Sequence, residues 1–394
     1  MAGGVMQLLA YGAASEYLMG NPDFSYFRLV YRRHTNFSME SISLAFNTKP
    51  VLDYQTTGTF VCNVGRNADL VKEMYFSFQL PNIYSNDTHR FQWIRDLGNV
   101  VIEKTWVSVD SVKIDVQYGL WMDIWNELTI DASKRSTYDR MIGNVEEFTS
   151  PKAVSDIAII TNNSLTYSYY PVGTEDSPSI PGRRFFIPLN FWFTRNTGLA
   201  LPLIALQYQK VTVTMQLRPI QELYQIFDRT LAKYVSPTLF MQRHSAPDDA
   251  LVMEDPVYGG DVSISRFLAP PSQTVETKRT IDIDAYVEAN YIYLDTDERR
   301  LLAKQGQIDY LVEQVYQTTR GGVKGSHTLD LTLHNPTKEL IWVTQRSDAS
   351  AYNDWINYTN RHPYNRNFPI LKSAKIMFNG MDRIEEKTGA YFNL

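Results

Sequence analysis

Apolar and polar side chains alternate along much of this chain with a period of two, the pattern of strands that bury one face. Between Asp69 and Leu80, Leu70, Met74, Phe76, Phe78 and Leu80 share one face, while Asp69, Glu73, Ser77 and Gln79 share the other. Val112, Ile114 and Val116 alternate with Lys113 and Asp115. Val211, Val213, Met215 and Leu217 alternate with Thr212, Thr214 and Gln216. Ile281, Ile283, Ala285 and Val287 alternate with Asp282, Asp284 and Glu288, and Leu329, Leu331 and Leu333 repeat the pattern. Each predicts a short strand with a polar outer face, and together they predict a sandwich or barrel. Trp121, Ile124, Trp125 and Leu128 fall at helical spacing and predict a helix that packs that face on a sheet. Asp295 followed by Glu298 resembles a capping box opening a short helix through Leu301 and Leu302. Residues 131–183, 225–280 and about 345–368 show weak periodicity and are expected as loops. Loops beyond ~15 residues usually carry function or contacts. The 225–280 stretch is the expected boundary between an N-terminal and a C-terminal β unit.

Composition narrows the class. The 394 residues allow two or three domains, and a 13% aromatic share with 25 Tyr favours β structure. Thirty-eight Lys and Arg against 43 Asp and Glu give a net charge of −5. A protein that coats nucleic acid is ordinarily basic, so direct nucleic-acid packaging is disfavoured. The single cysteine, Cys62, excludes an internal disulfide framework and suits a reducing compartment. No apolar run approaches the roughly 18–20 residues that span a bilayer. The apolar N-terminus has no basic residue before Arg28 and has Ala2 where myristoylation needs glycine, so residues 1–20 read as an arm that docks on another surface.

Catalytic patterns are missing. His34, His89, His244, His327, His334 and His362 form no ligand spacing, and there is no nucleophile elbow, phosphate loop or dinucleotide fingerprint. Gly321–Gly325 reads as a hairpin loop, and Asp295, Asp297 and Glu298 as complements to a helix dipole. Asp282 and Asp284 read as a solvated strand face. The pairs Arg32-Arg33, Arg183-Arg184 and Arg299-Arg300 are expected in ion pairs within the fold or between subunits. Asn86, Asn162 and Asn357 open N-x-S/T triplets and are weak glycosylation candidates. No catalytic residue, cofactor or metal site is expected.

Specific strings then carry a resemblance. Gly4–Tyr17 (GVMQLLAYGAASEY), Leu18–Pro22 (LMGNP) and Phe27–Ile42 (FRLVYRRHTNFSMESI) resemble the opening of the major capsid proteins of large nucleocytoplasmic DNA viruses. Four later stretches are similar in the same order: Ile187–Phe193 with Gly198–Tyr208, Tyr291–Arg299, His334–Trp342, and Ser373–Arg383 closing on Gly389–Asn393. The family-signature positions are Gly20, Asn21, Pro22, Tyr31, Arg32, Arg33, Thr35, Asn36, Phe37, Asn335, Pro336, Thr337, Asn379, Gly380, Asp382 and Arg383.

The resemblance implies an all-β double jelly roll with short helices and long loops, and a structural role without enzymatic activity. It implies homotrimers of near-hexagonal outline that tile an icosahedral shell in the virion, after synthesis in the host cytoplasm. Neighbouring capsomers and minor capsid proteins are the implied partners, with the N-terminal arm facing them and an internal viral membrane. The expected division is an arm at 1–24, a first roll at 25–217, an inter-roll segment at 218–280 and a second roll at 281–394. Family members continue beyond the Tyr391-Phe392-Asn393 block, so the second roll is expected to lack its last strands. A minor or penton-type shell component and a glycan-binding jelly roll are the alternative readings.

Overall fold

The computed structural model describes residues 35–85, 89–149, 159–161, 164–166, 178–244, 254–257, 262–270, 272–304, 311–332, 335–360, 370–378 and 381–393. The structure has eight principal strands, β1 Phe37–Ala45, β2 Gly58–Asn63, β3 Leu70–Gln79, β4 Ile102–Val109, β5 Val112–Tyr118, β6 Arg184–Pro188, β7 Val211–Leu217 and β8 Ala285–Leu294, of which the alternating stretches supply β3, β5, β7 and β8. One sheet has the order β1-β8-β3-β6, with Leu201–Pro202 also pairing β3, and the other has the order β2-β7-β4-β5. Within them β1 pairs with β8, β2 with β7, β3 with β6 and β4 with β5, all antiparallel. That is one long hairpin rolled into two facing sheets, the jelly-roll topology.

The pairing bears on the expected domain limits. Residues 285–294, expected in the second roll, are the last strand of this one, lying between β1 and β3. Thr280–Asp282 likewise pairs with Val51–Asp53 in the β1–β2 connection. The 218–280 segment is therefore the β7–β8 connection. Period-two alternation marks a strand but not its partner, which here lies more than two hundred residues upstream.

Between the sheets sits an aromatic core. Phe76 and Phe78 of β3, Phe185 and Ile187 of β6, and Val287 and Tyr291 of β8 meet Phe60 and Cys62 of β2, Val107 of β4, and Val213 and Met215 of β7. Phe76 stacks on Phe78 with centroids 5.3 Å apart, and Phe185 lies 5.5 Å from Phe78. Burying each such ring contributes about 1.5–3 kcal/mol.

Rolling the hairpin sends the β1–β2, β3–β4, β5–β6 and β7–β8 connections to one end and the rest to the other. Three of the first group are long, and they fold on one another. Phe91–Trp93 of the β3–β4 connection pairs with Tyr224–Asp228 of the β7–β8 connection, which pairs with Lys233–Val235. Ile83 bridges to Ile180, and the Tyr84 N–H donates to the Phe267 carbonyl at 2.7 Å. Helices α1 Leu97–Val101, α2 Gly119–Thr129 and α3 Ala132–Ile142 cover this end, so the first part of the expected 131–183 loop is helical. The described part of the 225–280 stretch holds the short strands just named and helix α4 Pro237–Arg243, whose first turn is capped by the Ser236 hydroxyl accepting from the Leu239 N–H at 3.1 Å. In α2 the buried side chains are Met122 and Asn126, whereas Leu128 is 63% exposed. The helix is thus rotated from the face its Trp and Leu spacing predicted, because Asn126 is drawn inward to the Tyr138 hydroxyl of α3 at 2.5 Å.

Helix α5 Thr296–Lys304 opens as expected at Asp295, whose Oδ1 accepts from the Thr296 N–H at 2.7 Å, and it buries none of its residues. Beyond it, the described residues between 311 and 360 form no strand, and Leu329 and Leu331 are 46% and 41% exposed. Among the described residues no second sheet faces this alternation. Ser373–Phe378 and Met381–Thr388 form a hairpin. No helix among the described residues is long and apolar enough to cross a membrane.

Candidate assembly surface

The signature positions lie on separate elements. Gly20, Asn21, Pro22, Tyr31, Arg32, Arg33, Asn379 and Gly380 fall outside the described residues, as do the glycosylation candidates Asn86 and Asn162. Thr35 and Asn36 are exposed just before β1, and Phe37 is 49% exposed. Asn335 donates through Nδ2 to the Tyr316 hydroxyl at 2.9 Å, with Pro336 and Thr337 exposed beside it. Asp382 accepts from Lys375 Nζ at 3.3 Å, and Arg383 is exposed. Asn357 is part-buried. Its Nδ2 donates to Asp354 at 2.7 Å and its Oδ1 accepts from the Thr359 N–H at 3.0 Å, so the nitrogen a glycan would use is already engaged.

Strand β5 is inside out. Asp115 and Gln117 point into the sandwich, 1% and 0% exposed, while Val112 is 64% exposed and Ile114 and Val116 are half-buried. The inversion is tolerated because most of the inward polar atoms are paired: Gln117 Nε2 donates to both Asp115 oxygens at 3.0 Å, and the Trp192 N–H donates to Oδ2 at 3.2 Å, which leaves Gln117 Oε1 without a partner. Burial nevertheless pushes the Asp115 carboxyl up to about 6. Outward, Val116 sits directly across from Trp106 of β4, and Lys113 Nζ lies 4.3 Å from the indole centroid. The result is an apolar strip on the outer face of the sheet.

A second apolar surface follows α5. Leu311, Tyr316, Trp342 and Val343 are 83%, 58%, 38% and 46% exposed. This segment is tied to the roll through Gln314 Nε2, which donates to the Ile114 carbonyl at 2.6 Å, and through Glu313, 2.5 Å from Arg195. Exposed apolar area of this kind marks contact surface. Two of the basic pairs contribute ion pairs inside the fold, Arg184 with Asp284 and Arg299 with Asp69.

Two buried polar constellations went unseen in the sequence because their members are far apart along it. His89 and His244 share the Asp255 carboxylate at 3.1 and 3.0 Å. Asp96, Asp123 and Asp139 gather near Tyr138, Asn99 and Arg135 in the α1–α3 layer. Among the described residues, no group of three or more His, Cys, Asp or Glu is arranged to hold a metal ion. Both constellations join separate connections of the loop end.

Comparison with known proteins agrees with this geometry. A family profile described as the major capsid protein N-terminus matches residues 25–295, and one described as large eukaryotic DNA virus major capsid protein matches residues 298–394. The major capsid protein of Phaeocystis pouchetii virus is 34% identical over 96% of this chain and 67% of its own length. That of Pyramimonas orientalis virus is 32% identical over 100% of this chain and 75% of its own. The chain spans 59% of a further relative, the major capsid protein of Chrysochromulina ericina virus. In fold, the chain is similar to the PBCV-1 virus capsid structure, with a TM-score of 0.60 and 23% identity over 94% of this chain and 75% of that one. An eight-stranded jelly roll with apolar outer surfaces, and profile matches covering residues 25–295 and 298–394, place this chain in the family of large eukaryotic DNA virus major capsid proteins, structural proteins of the double jelly-roll fold.

Proposed function

We propose that this chain is the repeating subunit of an icosahedral virus shell and that three copies close into a capsomer of near-hexagonal outline. The observation that carries this reading is the outer apolar strip of exposed Val112 and half-buried Val116 and Trp106, which strand β5 presents by turning its polar side inward. A strand that hides a carboxylate to display valines is built for a partner on that face. A head-to-tail contact between unlike surfaces closes into a ring when its rotation is three-fold, and the segment at 311–343 supplies a second apolar surface beside the strip. A stable contact of this type buries about 1,600 Å² in all. Neighbouring capsomers and minor shell proteins are the further partners, and a net charge of −5 accords with a shell that does not itself bind the genome. In this reading the arm is 1–24, the first roll extends through β8, and the second unit starts at α5. Val116→Asp with Val112→Asp tests the proposal: the melting midpoint is expected to stay near that of the parent while self-association is lost. An unchanged oligomer would overturn the role of this face.

A further inference from the structure

We propose that the N-terminal segment around Val5–Tyr11 docks, in the same chain, into a groove at the end of the sandwich opposite the long connections. The groove has a volume of about 250 Å³ and is lined by Val64, Leu203, Leu206 and Val211, with Arg66, Tyr208 and Lys210 on its rim. Tyr208 is 96% exposed, an aromatic side chain left standing at the mouth of an apolar groove. Arg66 is fixed there, donating to the Leu206 and Gln209 carbonyls at 2.5 and 3.0 Å, so its charge is held in place. The groove is small for a free organic ligand, since such pockets usually hold about 300–1,000 Å³. It suits a few side chains of a peptide.

Three observations select the occupant. The first is position. β1 begins at this end: Phe37 pairs with Leu294, the Leu294 N–H donates to Asp69 Oδ2 at 2.9 Å, and the Asp69 carbonyl accepts from the Ile204 N–H at 3.1 Å, next to Leu203 of the groove. The chain ahead of β1 therefore enters within a few residues' width of the groove. The second is reach. About 25 residues separate Tyr11 from Phe37, enough to extend roughly 80 Å, so the tether imposes no strain and keeps the segment at high local concentration. The third is complementarity. Val5, Met6, Leu8, Leu9 and Tyr11 match the apolar lining, and the only charged side chains before Arg28 are acidic, Glu16 and Asp23, against a rim of Arg66 and Lys210. Asp110, whose Oδ1 accepts from the Lys210 N–H at 2.8 Å, and Asp69, which is paired with Arg299 at 2.8 Å, are acidic groups nearby, and both lie outside the lining.

The experiment uses the full chain with a photo-cross-linking benzoylphenylalanine in place of Leu9, in an equal mixture of ¹⁴N- and ¹⁵N-labelled protein. Adducts are expected on residues 203–211, with both peptides of each adduct carrying one label. Arg66→Glu with Lys210→Glu should cut their yield roughly fivefold, the loss of about two exposed ion interactions, and adding Glu16→Arg and Asp23→Arg should restore it. Adducts confined to other parts of the chain, or adducts of mixed label, would overturn the proposal. So would a yield indifferent to the charge reversals.

Discussion

His89 and Asp255 stand 166 residues apart in sequence, yet their side chains meet at 3.1 Å, 3% and 0% exposed. The contact ties the β3–β4 connection to the β7–β8 connection. It is extended by His244 on the second Asp255 oxygen and by Asp228, which lies 3.7 Å from His244 and 3.0 Å from Arg243. Burial is the largest influence on His89 and holds its pKa below the usual 6.5, against the pull of Asp255 and with smaller pushes from Arg229 and His244. The folded chain thus keeps this imidazole neutral where the unfolded chain would protonate it. Stability from this group is lost as pH falls through about 6.5. His89→Gln should be less stable at pH 7.5 and should lose part of the fall in melting midpoint between pH 7.5 and 5.5. A variant with the parent's full pH slope would show that His89 does not titrate in this way.

The carboxylates around α1–α3 act with the opposite sign. Burial, reinforced by repulsion from Asp123 and Asp139, pushes Asp96 up to about 7, and burial with repulsion from Glu127 pushes Asp123 up to about 6. Because these groups hold protons in the folded chain that they release above about 4 when unfolded, they destabilise increasingly as pH rises from 4 towards 7. Asp96 Oδ1 lacks a hydrogen-bond partner, and the residue has a φ of 48°, a conformation asparagine tolerates. Asp96→Asn should therefore melt higher than the parent at pH 8, with the gap clearly smaller at pH 5. Melting curves at the two pH values decide it, and a gap of equal size at both would count against a proton held on Asp96.

Phe91 links the layers of the loop end. It stacks on Tyr224 at 4.8 Å and lies 4.9 Å from Trp93 and 5.2 Å from Phe267. Phe91→Ala should cost about 3–5 kcal/mol, read from denaturant unfolding, because the neighbouring rings cannot collapse into the space.

Gly119 opens α2 against two backbone carbonyls, those of Ile102 and Asn99, and a Cβ there would overlap both. Neither carbonyl belongs to a flexible side chain, so Gly119→Ala should destabilise by at least about 2 kcal/mol. Gly198 has open space around it, and Gly198→Ala should stay within about 0.5 kcal/mol of the parent.

Strands β3, β7 and β8 are legible in the sequence because their apolar positions face the core they pack in, and the edges of β3 and β7 fall where the alternation stops. Strand β5 shows the same period with the opposite meaning, since its polar residues are the buried ones. The sign of an alternating pattern depends on what the inward groups bond to, and the Trp192 N–H that donates to Asp115 is 77 residues away. The histidine–aspartate contact and the groove at Arg66 were hidden for the same reason: each assembles residues from connections whose meeting is decided by the order of the strands. The overall class was carried instead by strings such as Phe27–Ile42, whose information is familial.

The most direct test of the shell role is the native mass of the protein released gently from purified particles, together with its copy number per particle. The expected result is a trimer of this polypeptide, present in many copies on every facet. A monomeric or pentameric species, or a number matching one assembly per vertex, would contradict it.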